Sequence, residues 1–561
     1  MPTRDEAIAL LTGPGAPFEI AEADVLGESL RVYKNAPASL RDIWLSTAVH
    51  GDATFLVYGG ERTSYAEAHR QVRVLVQHLH DAGVRKGDRV AIGMRNYPEW
   101  VLAFWACQSI GAISVSLNAW WTAPELEYGL SDSGTTALLI DGERYERLAD
   151  LLPTMPMKTI VVARSDAIVG SAQRWSDVVA GADPGSLPAV DLAPDDDATI
   201  LYTSGTTGFP KGAVGTNRNH VTNITNTILG GALSAVMAPP PAADAPPPPA
   251  PARMVALWTF PFFHIGGLSG LYVMTAAGAC IVTQYKWDAA EALELIERER
   301  VTVVAGVPTV VRSLLEHPDA ATRDLSTLAG ISQGGSPVPP DSIARIENDF
   351  AGKVSPGNGY GLTETTSAVV ANSGSMYFAK KDSVGLPVPV CDVKVVDEEG
   401  NTLPTGSVGE LLVRGPNNVR GYWNKPVETE ESFGGGWFRT GDAARIDDDG
   451  FIYVVDRLKD MVLRGGENVY CAEVEAAIFE HPSVADVAVV GVPHPSLGEE
   501  VAAVVILQPG ATLTVAELQE FVAQRIARFK VPSIVLIRDE PIPRNATGKV
   551  LKKDLRAELS P

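Results

Sequence analysis

A loop rich in glycine and hydroxyl residues, followed by a lysine, is the sharpest chemical signal in the sequence. In TILYTSGTTGFPKGAV (199–214), an apolar strand runs into this loop. Glycine lets backbone amides converge on phosphate oxygens, hydroxyl groups donate further hydrogen bonds, and lysine supplies positive charge. The spacing lacks GxxxxGK[ST], so an ordinary P-loop ATPase is disfavoured. The stretch predicts a phosphate-binding loop with contacts from Thr203, Ser204, Gly205, Thr206, Thr207, Gly208 and Lys211.

Further blocks with the same kind of chemistry follow along the chain. They are TFPFFHIGGL (259–268), GGSP (334–337), NGYGLTET (358–365), GELLVRGP (409–416), GWFRTGD (436–442), DRLKDMVLRGGENV (456–469) and PRNATGKVLK (543–552). Together with YTSGTTGFPKG, they resemble the signature motifs of the acyl-adenylate-forming superfamily. That superfamily includes acyl-CoA synthetases, the adenylation domains of peptide synthetases, and beetle luciferases. The resemblance covers nearly the whole chain and implies an ATP-dependent, AMP-forming ligase of an acid and a thiol.

The resemblance gives most blocks a nucleotide-binding role that their residue types fit. Glu364 offers a hard carboxylate oxygen for Mg²⁺ bridging ATP phosphates, with Thr203 as a further metal contact. Asp442 can accept hydrogen bonds from both ribose hydroxyls, and Tyr360 has a flat face that could stack on adenine. The implied ATP and AMP contacts outside the phosphate loop are Gly334, Gly335, Ser336, Asn358, Gly359, Tyr360, Gly361, Thr363, Asp442, Arg457 and Lys549.

The resemblance also implies two half-reactions in two domain orientations. The carboxylate attacks the α-phosphorus of ATP to give acyl-AMP and pyrophosphate, and a thiol then attacks the acyl carbonyl and releases AMP. Lys549 resembles the lysine that bridges the substrate carboxylate and the α-phosphate in the first half. The C-terminal domain is then expected to rotate about Lys459, so that Gly465 and Gly466 line a channel for the pantetheine of CoA. Asp456, before the hinge, differs from the glycine of many relatives.

The block around His264 bears on the class of acid. Amino-acid-activating relatives usually carry an aspartate there to pair with the substrate ammonium, and this chain has none. The motif resembles fatty acyl and hydroxycinnamate ligases, where the histidine lies beside the reacting carboxylate; a packed core histidine is the alternative. The expected catalytic residues are Thr203, His264, Glu364 and Lys549, and the expected apolar pocket is formed by Trp258, Phe263, His264, Gly335 and Gly361.

Several functions stay open at this stage. The leading hypothesis is an acyl-CoA synthetase for a medium- or long-chain fatty acid, with ATP, Mg²⁺ and CoA. The others are an aryl or arylpropenoic acid CoA ligase, a ligase that loads a free-standing acyl carrier protein, and a catalytically silent adenylate-binding scaffold. CoA is favoured because no carrier domain is appended before Pro561. A basic cluster could attract its phosphates: Arg525, Arg528, Lys530, Arg538, Lys552, Lys553 and Arg556.

Composition limits the partners. The chain has 46 Lys and Arg against 68 Asp and Glu, a formal net charge of -22, so diffuse attraction to nucleic acid is excluded. The N-terminus lacks a signal-peptide pattern, and the four scattered cysteines fit a reducing compartment. The most membrane-like stretch, 101–121, is interrupted by polar residues and predicts a buried helix followed by a strand. We therefore expect a cytoplasmic enzyme without a transmembrane segment, either a monomer or a homodimer.

The expected fold class is α/β. Short runs rich in valine and isoleucine alternate with helical patterns, which favours buried, largely parallel strands. At 561 residues the chain exceeds the usual size of one core. We expect an N-terminal domain over 1–456, ending in a β-rich subdomain after Gly385, and a mobile α+β C-terminal domain over 457–561. A hinge is expected near 457–460, an exposed proline-rich loop at 237–253, and a helix at 514–528.

Overall fold

A computed structural model describes residues 2–203, 209–238, 253–336, 338, 340–350, 352–545 and 548–560. Ser204, Gly205, Thr206, Thr207 and Gly208 of the predicted phosphate loop lie outside the described residues. The same holds for residues 239–252 of the proline-rich stretch.

The strands, in chain order, are β1 Ile20–Val25, β2 Glu28–Tyr33, β3 Thr54–Tyr58, β4 Glu61–Ser64, β5 Arg89–Gly93, β6 Ile113–Ser116, β7 Ala137–Asp141, β8 Thr159–Ala163, β9 Gln173–Arg174, β10 Asp197–Thr203, β11 Lys211–Thr216, β12 Val255–Trp258, β13 Cys280–Thr283, β14 Val303–Gly306, β15 Gly330–Gly334, β16 Ser355–Leu362, β17 Ser367–Ser373, β18 Leu386–Pro387, β19 Asp392–Val396, β20 Gly409–Arg414, β21 Phe438–Ile446, β22 Ile452–Arg457, β23 Val462–Arg464, β24 Glu467–Val469, β25 Val484–His494, β26 Gly498–Leu507 and β27 Ile534–Ile537.

The α-helices are α1 Arg4–Thr12, α2 Leu40–Ser46, α3 Tyr65–Asp81, α4 Pro98–Ile110, α5 Ala123–Ser133, α6 Gly142–Arg147, α7 Trp175–Val179, α8 Asn217–Met237, α9 Ile265–Ala276, α10 Ala289–Glu299, α11 Pro308–Glu316, α12 Pro340–Asp349, α13 Gly374–Ala379, α14 Pro426–Phe433, α15 Cys471–Phe479, α16 Val515–Ala523 and α17 Lys552–Leu559. Short 3₁₀ turns include Thr363–Thr365 and Leu458–Asp460.

Two large sheets form the first part of the chain. One has the order β11-β10-β6-β5-β7-β8-β9, and the other β18-β17-β16-β15-β14-β12-β13-β3-β4. In the second, the run from β16 to β3 is parallel, while antiparallel strands pair at both edges. Since the carboxyl ends of parallel strands form the ligand-binding edge of α/β sheets, the ends of β12, β15 and β16 are where a site is expected. The α/β prediction is confirmed.

The core between these sheets explains the membrane-like stretch. Helix α4 is buried on all sides and is followed by β6, as predicted for 101–121. Trp100, Phe104 and Trp105 are fully buried there. Full burial of such aromatic side chains is worth several kcal/mol, each contributing about 1.5–3 kcal/mol. Among the described residues, no helix is both long and apolar enough to cross a bilayer.

The rest of the chain is a four-stranded antiparallel sheet, β19-β20-β21-β22, and a five-stranded unit built from β23 to β27. The helix predicted at 514–528 is shorter than expected, because α16 begins after its cap Thr514 and ends at Ala523. Ile526 and Phe529 beyond it turn inward and pack on the core of this unit. Tertiary packing thus overrides the continued helical pattern.

Candidate functional site

The predicted phosphate loop is the connection of an antiparallel hairpin. Strands β10 and β11 pair in register, with Thr203 opposite Lys211. The base of the hairpin is held by His220, whose Nε2 lies 2.9 Å from the Thr199 hydroxyl. The two described ends of the loop, Thr203 and Lys211, are therefore held side by side.

A segment distant in sequence completes the hairpin. The Tyr422 backbone bridges Ala213, and the Trp423 amide donates to the Gly212 carbonyl at 2.7 Å. This places the Tyr422 ring beneath Lys211, whose Nζ lies 5.0 Å from the ring centroid. That geometry is a cation–π contact, so the lysine of the loop rests on a fixed aromatic platform.

The same tyrosine holds Glu364. The Tyr422 hydroxyl donates a hydrogen bond of 2.9 Å to Oε1 of Glu364, which is buried in the Thr363–Thr365 turn. The backbone of the turn is also held, because the Val419 amide donates to the Glu364 carbonyl at 2.9 Å. The Asn417 amide group donates to the Thr365 carbonyl at 2.8 Å. Glu364 is thus a fixed carboxylate next to the loop lysine.

The predicted ribose and adenine residues form a second cluster. The Tyr360 hydroxyl donates to Oδ2 of Asp442 at 2.5 Å, and Nε of Arg457 lies 2.7 Å from Oδ1. Burial raises the pKa of Asp442, although Arg457 opposes that shift. The pKa of Tyr360 is raised by burial and then by the Asp442 charge, so the phenol stays a donor. The structure brings these three predicted residues together.

The backbone beside Tyr360 is unusually close-packed. Strand β15 pairs with β16, so that Gln333 faces Asn358 and Gly334 faces Gly359. A methyl group added at Gly361 would lie 1.8 Å from the Ser367 carbonyl oxygen, so only glycine fits there. The two strands therefore end in one narrow edge, where Gly335 and Ser336 follow β15 and the turn containing Thr363 follows β16.

His264 caps the helix that carries the predicted acid pocket. Its Nδ1 accepts a hydrogen bond of 3.3 Å from the Gly266 amide at the start of α9. A nitrogen that accepts carries no proton, so the proton of the neutral ring is on Nε2. Desolvation, followed by the charge of Lys549, lowers the pKa of His264 to about 3. The histidine is thus a neutral donor at physiological pH.

Two of the predicted pocket residues, Trp258 and Gly335, lie beside Phe260, which the sequence did not single out. Asn96 fixes this loop, donating to the Phe260 carbonyl at 2.8 Å and accepting from the Phe262 amide at 2.9 Å. Methyl groups added at Gly266 and Gly335 would lie 3.5 and 3.7 Å from the Phe260 ring. The ring therefore spans the gap between the start of α9 and the end of β15.

Trp258 fills the next gap along α9. A methyl group at Gly270 would lie 1.7 Å from Cζ2 of Trp258, so the indole occupies the space that a side chain would take. The Trp258 and Phe260 rings are 5.6 Å apart. Phe263 is buried, but no ring contact among the described residues joins it to these two. Its place in the pocket stays a prediction.

Lys549 reaches this site from the far end of the chain. Desolvation, and next the charge of Arg457, lowers its pKa, while Asp442 and Glu364 act in the opposite direction and Lys459 lowers it further. A methyl group at the adjacent Gly548 would lie 3.2 Å from Val307 of the large domain. The residue as a whole stays exposed, which fits a cleft open to solvent. Lys549 is thus near enough to Asp442, Glu364 and His264 for their charges to influence one another.

The predicted CoA-channel residues are not brought to the site in this arrangement. Gly465 and Gly466 form the turn of the β23–β24 hairpin, with φ of 61° and 89°. Both are exposed, and Lys459 is exposed in the Leu458–Asp460 turn. Asp456, the residue that differs from many relatives, accepts from the Arg457 amide at 2.7 Å and the Ala472 amide at 3.4 Å.

The basic cluster expected to attract CoA phosphates is largely neutralised by neighbouring carboxylates. Its ion pairs are Arg525–Glu480, Lys530–Glu473, Arg538–Glu558 and Lys552–Glu475, at 2.7 to 3.0 Å. A surface that pairs its own charges has little attraction left for phosphates. Four of the seven cluster residues are therefore engaged in ion pairs in this arrangement, and their attraction for CoA phosphates stays a prediction.

The residues around Glu364 suit a divalent cation that arrives with the nucleotide. Within the described ranges there is no group of three or more His, Cys, Asp or Glu able to hold a metal ion. Mg²⁺ is usually bound by one or two carboxylates together with substrate phosphates and water. A single fixed carboxylate, Glu364, near the phosphate-loop lysine fits that donor set.

Sequence reasoning missed Tyr422, Phe260 and Gly270. Tyr422 stands in VRGYWN, immediately after the GELLVRGP block, and only an aromatic ring near two charged motifs could have pointed to it. Phe260 and Gly270 lie within and just beyond the His264 block. Their roles depend on which gaps neighbouring rings fill, and this is a property of the folded packing.

Comparison with known proteins identifies the family. A model described as AMP-binding enzyme matches residues 44–423, and one described as AMP-binding enzyme C-terminal domain matches residues 473–549. A feruloyl-CoA synthase of Amycolatopsis sp is 36% identical over 90% of this chain and 95% of its own. A fatty acid–[acyl-carrier-protein] ligase, ScoC of Streptomyces coeruleorubidus, is 33% identical over 89% of this chain and 92% of its own.

A solved structure is similar over the same extent. The o-succinylbenzoate CoA synthetase of Bacillus subtilis, in complex with its acyl-adenylate intermediate, has a TM-score of 0.76 and 28% identity, covering 93% of this chain and 98% of that one. With the family models matching both parts of the chain, the protein belongs to the AMP-binding enzyme family and is an AMP-forming acid–thiol ligase.

Proposed function

We propose that the protein uses ATP to activate an aryl or arylpropenoic acid as its acyl-adenylate and then transfers the acyl group to CoA. The observation that carries the acid class is the pair of aromatic rings in the pocket. Phe260 spans the gap between Gly266 and Gly335, and Trp258 fills the gap at Gly270. Such walls favour a short, flat acid over a long flexible chain. The 36% identical relative is named for a feruloyl substrate.

In the first half-reaction, the protein positions the substrates and neutralises their negative charge. The loop hairpin and Lys211 bind the triphosphate, while Asp442, Arg457 and Tyr360 orient the ribose and adenine. Glu364 would hold Mg²⁺, with Thr203 as a further contact; the ion neutralises phosphate charge when bound. These groups come from three different sheets, with Lys211 on β11, Glu364 after β16 and Asp442 on β21, so the nucleotide is held from several sides.

Lys549 supplies the charge needed where two anions meet. A carboxylate and an α-phosphate about 4 Å apart repel by about 4 kcal/mol at an effective dielectric constant of about 20. An ammonium between them removes that cost. His264 supports the same step as a neutral donor, because its Nε2 proton is free to bond to a carboxylate oxygen. Neither residue has to change its protonation state for attack to occur.

In the second half-reaction, the C-terminal domain turns about Lys459 and Lys549 leaves. Gly465 and Gly466 then approach the acyl-adenylate, where the absence of side chains leaves room for pantetheine. The thiol attacks the acyl carbonyl, a C–S bond forms, the C–O bond to AMP breaks, and the thiol proton leaves to solvent.

The test is AMP release by the purified protein with ATP, Mg²⁺ and a panel of acids, with and without CoA. We expect CoA-dependent turnover with cinnamate-type or benzoate-type acids to exceed turnover with octanoate or palmitate. A clear preference for the aliphatic acids would overturn the aryl assignment while leaving the ligase chemistry intact. AMP release from none of the acids would contradict both.

Trp258 gives a sharper test of the pocket. Trp258→Ala opens the space beside Gly270, and we expect the ratio of kcat/KM for octanoate over a cinnamate to rise about 10-fold. Trp258→Phe removes less volume and is expected to shift the ratio less, which guards against a misfolded variant. Trp437→Phe is the matched control, because this partly buried indole packs under Lys394 in the β-rich sheet. An unchanged ratio in both Trp258 variants would remove the indole from the pocket.

A fatty acid or an acyl carrier protein is the second candidate, favoured by one relative. ScoC is named as a fatty acid–[acyl-carrier-protein] ligase and is 33% identical. An arm of the assay with added acyl carrier protein distinguishes fatty-acid loading of a carrier, because AMP release would then depend on the carrier protein and be indifferent to CoA.

A further inference from the structure

One tyrosine joins the two charged groups that face the triphosphate. Tyr422 is 8% exposed, donates through its hydroxyl to Glu364 and supports Lys211 on its ring. Glu364 and Lys211 are far apart in sequence, on the turn after β16 and at the start of β11. The tyrosine is thus a shared support for a carboxylate and an ammonium of opposite charge.

The tyrosine itself is held from several sides. Its backbone pairs with β11, and its amide donates to the Thr429 hydroxyl at 2.9 Å. Its ring packs edge-on against Phe433, 5.8 Å away, within a small cluster with Ala213 and Val419. A side chain fixed in this way can pass its position on to the groups it touches.

We propose that Tyr422 is a positioning residue that sets Glu364 and Lys211 in register, so that Mg²⁺ and ATP bind cooperatively. This inference rests on the proposed function, in which Glu364 holds the metal. The Tyr422 hydroxyl fixes which carboxylate oxygen of Glu364 is hydrogen-bonded to the protein. The Tyr422 ring fixes the position of the Lys211 ammonium above it. Second partners of metal-binding carboxylates commonly change metal affinity by about 10–100-fold when removed.

The hydroxyl and the ring have separable effects. Tyr422→Phe removes the hydrogen bond to Glu364 and keeps the ring under Lys211. Tyr422→Leu removes both supports. We therefore expect Tyr422→Phe to weaken only the enhancement of ATP affinity by Mg²⁺. We expect Tyr422→Leu to weaken this enhancement and also to bind ATP more weakly without metal.

The experiment is calorimetric titration of ATP into the full chain at a series of free Mg²⁺ concentrations, without acid or CoA. For Tyr422→Phe we expect the enhancement of ATP affinity by Mg²⁺ to fall about 10-fold, with ATP binding in EDTA unchanged. Tyr453→Phe is the matched control, because Tyr453 also donates to a carboxylate, Asp447 at 3.0 Å, outside the site. This control is expected to behave as the wild type.

Two results would overturn the proposal. One is an unchanged Mg²⁺ enhancement in Tyr422→Phe. The other is an equal weakening of ATP binding with and without Mg²⁺, which is the signature of a merely structural role. Glu364→Gln separates the inference from the function on which it rests. Loss of the enhancement in Glu364→Gln but not in Tyr422→Phe removes only the role of the tyrosine, and no loss in either removes the metal-ligand assignment as well.

Discussion

The two sides of the proposed site are built differently. On the triphosphate side, Lys211 and Glu364 belong to the large domain and each contacts Tyr422. On the carboxylate side, His264 is fixed by its bond to Gly266, but its partner Lys549 comes from the C-terminal unit and stays exposed. Under the proposed function, the first side stays in place, whereas the second is complete only in one of the two arrangements of the units.

Some of the contacts between the two units are long polar ones. Arg312 on α11 donates to the Ala485 carbonyl at 3.4 Å and lies 5.2 Å from the Phe479 ring. Asp456 accepts from the Ala472 amide at 3.4 Å across the predicted hinge. Hydrogen bonds of this length contribute little to the stability of the arrangement. The comparison teaches that ATP binding and carboxylate activation should respond to different substitutions.

Lys549→Ala should produce the largest effect. It removes the cation proposed to bridge the substrate carboxylate and the α-phosphate, so we expect acyl-AMP formation to fall by about 10²–10³-fold. Thioester formation from supplied acyl-AMP should survive, because that step does not use Lys549. Single-turnover assays of each half-reaction measure both.

Lys553→Ala, on α17, is the matched control for a nearby exposed lysine and should leave both steps unchanged. Equal loss of both half-reactions in Lys549→Ala would contradict a role confined to the carboxylate side.

Lys459→Pro should have a smaller and opposite effect. Proline restricts the backbone at the turn between the two units, and the arrangement described here already has Lys549 in the site. We expect adenylation to continue and thioester formation to fall on the order of 10-fold or more, since closure of the second arrangement is blocked. Lys459→Ala keeps the backbone free and serves as the control. Wild-type rates for both steps in the proline variant would show that the hinge lies elsewhere.

The parts of this site that could be predicted from the sequence are those set by local chemistry. The α/β class follows from the alternation of strands and helices, and the grouping of Tyr360, Asp442 and Arg457 follows from the resemblance of their motifs to the family. The phosphate loop stays a prediction, because its residues 204–208 lie outside the described ones. Tyr422 could not be predicted, because its role depends on contacts with residues that are distant in the sequence. It lies more than fifty residues from Glu364 and even farther from Lys211. Trp258 was expected in the pocket, yet its partner Gly270 is defined only by the space the indole fills.

Buried histidines offer the finest comparison of the two sides. Burial lowers the pKa of His220, at the base of the loop hairpin, to about 3, and no other cause contributes. Burial also lowers that of His264 to about 3, but there Lys549 is a second cause. Lys549→Ala should therefore raise the pKa of His264 slightly and leave that of His220 unchanged. Titration of ¹³C-labelled histidine by NMR measures both.

The same pKa values fix the sign of the pH dependence of stability. An unfolded histidine titrates near pH 6.5, whereas His220 and His264 stay neutral in the fold until far lower pH. The unfolded chain thus binds more protons, and the free energy of unfolding should fall as pH drops from about 6.5 toward 4, by up to about 1.4 kcal/mol per pH unit for each group. His220→Gln should reduce the pH slope of the free energy of unfolding by the contribution of up to one proton. We expect the same reduction in the otherwise wild-type chain and in the Lys549→Ala variant. Denaturant unfolding at pH 7 and pH 5 tests this, and a slope unchanged in His220→Gln would show that this histidine is not held neutral. The slope assigned to His264 should instead depend on Lys549, because only the carboxylate side changes with the position of the C-terminal unit.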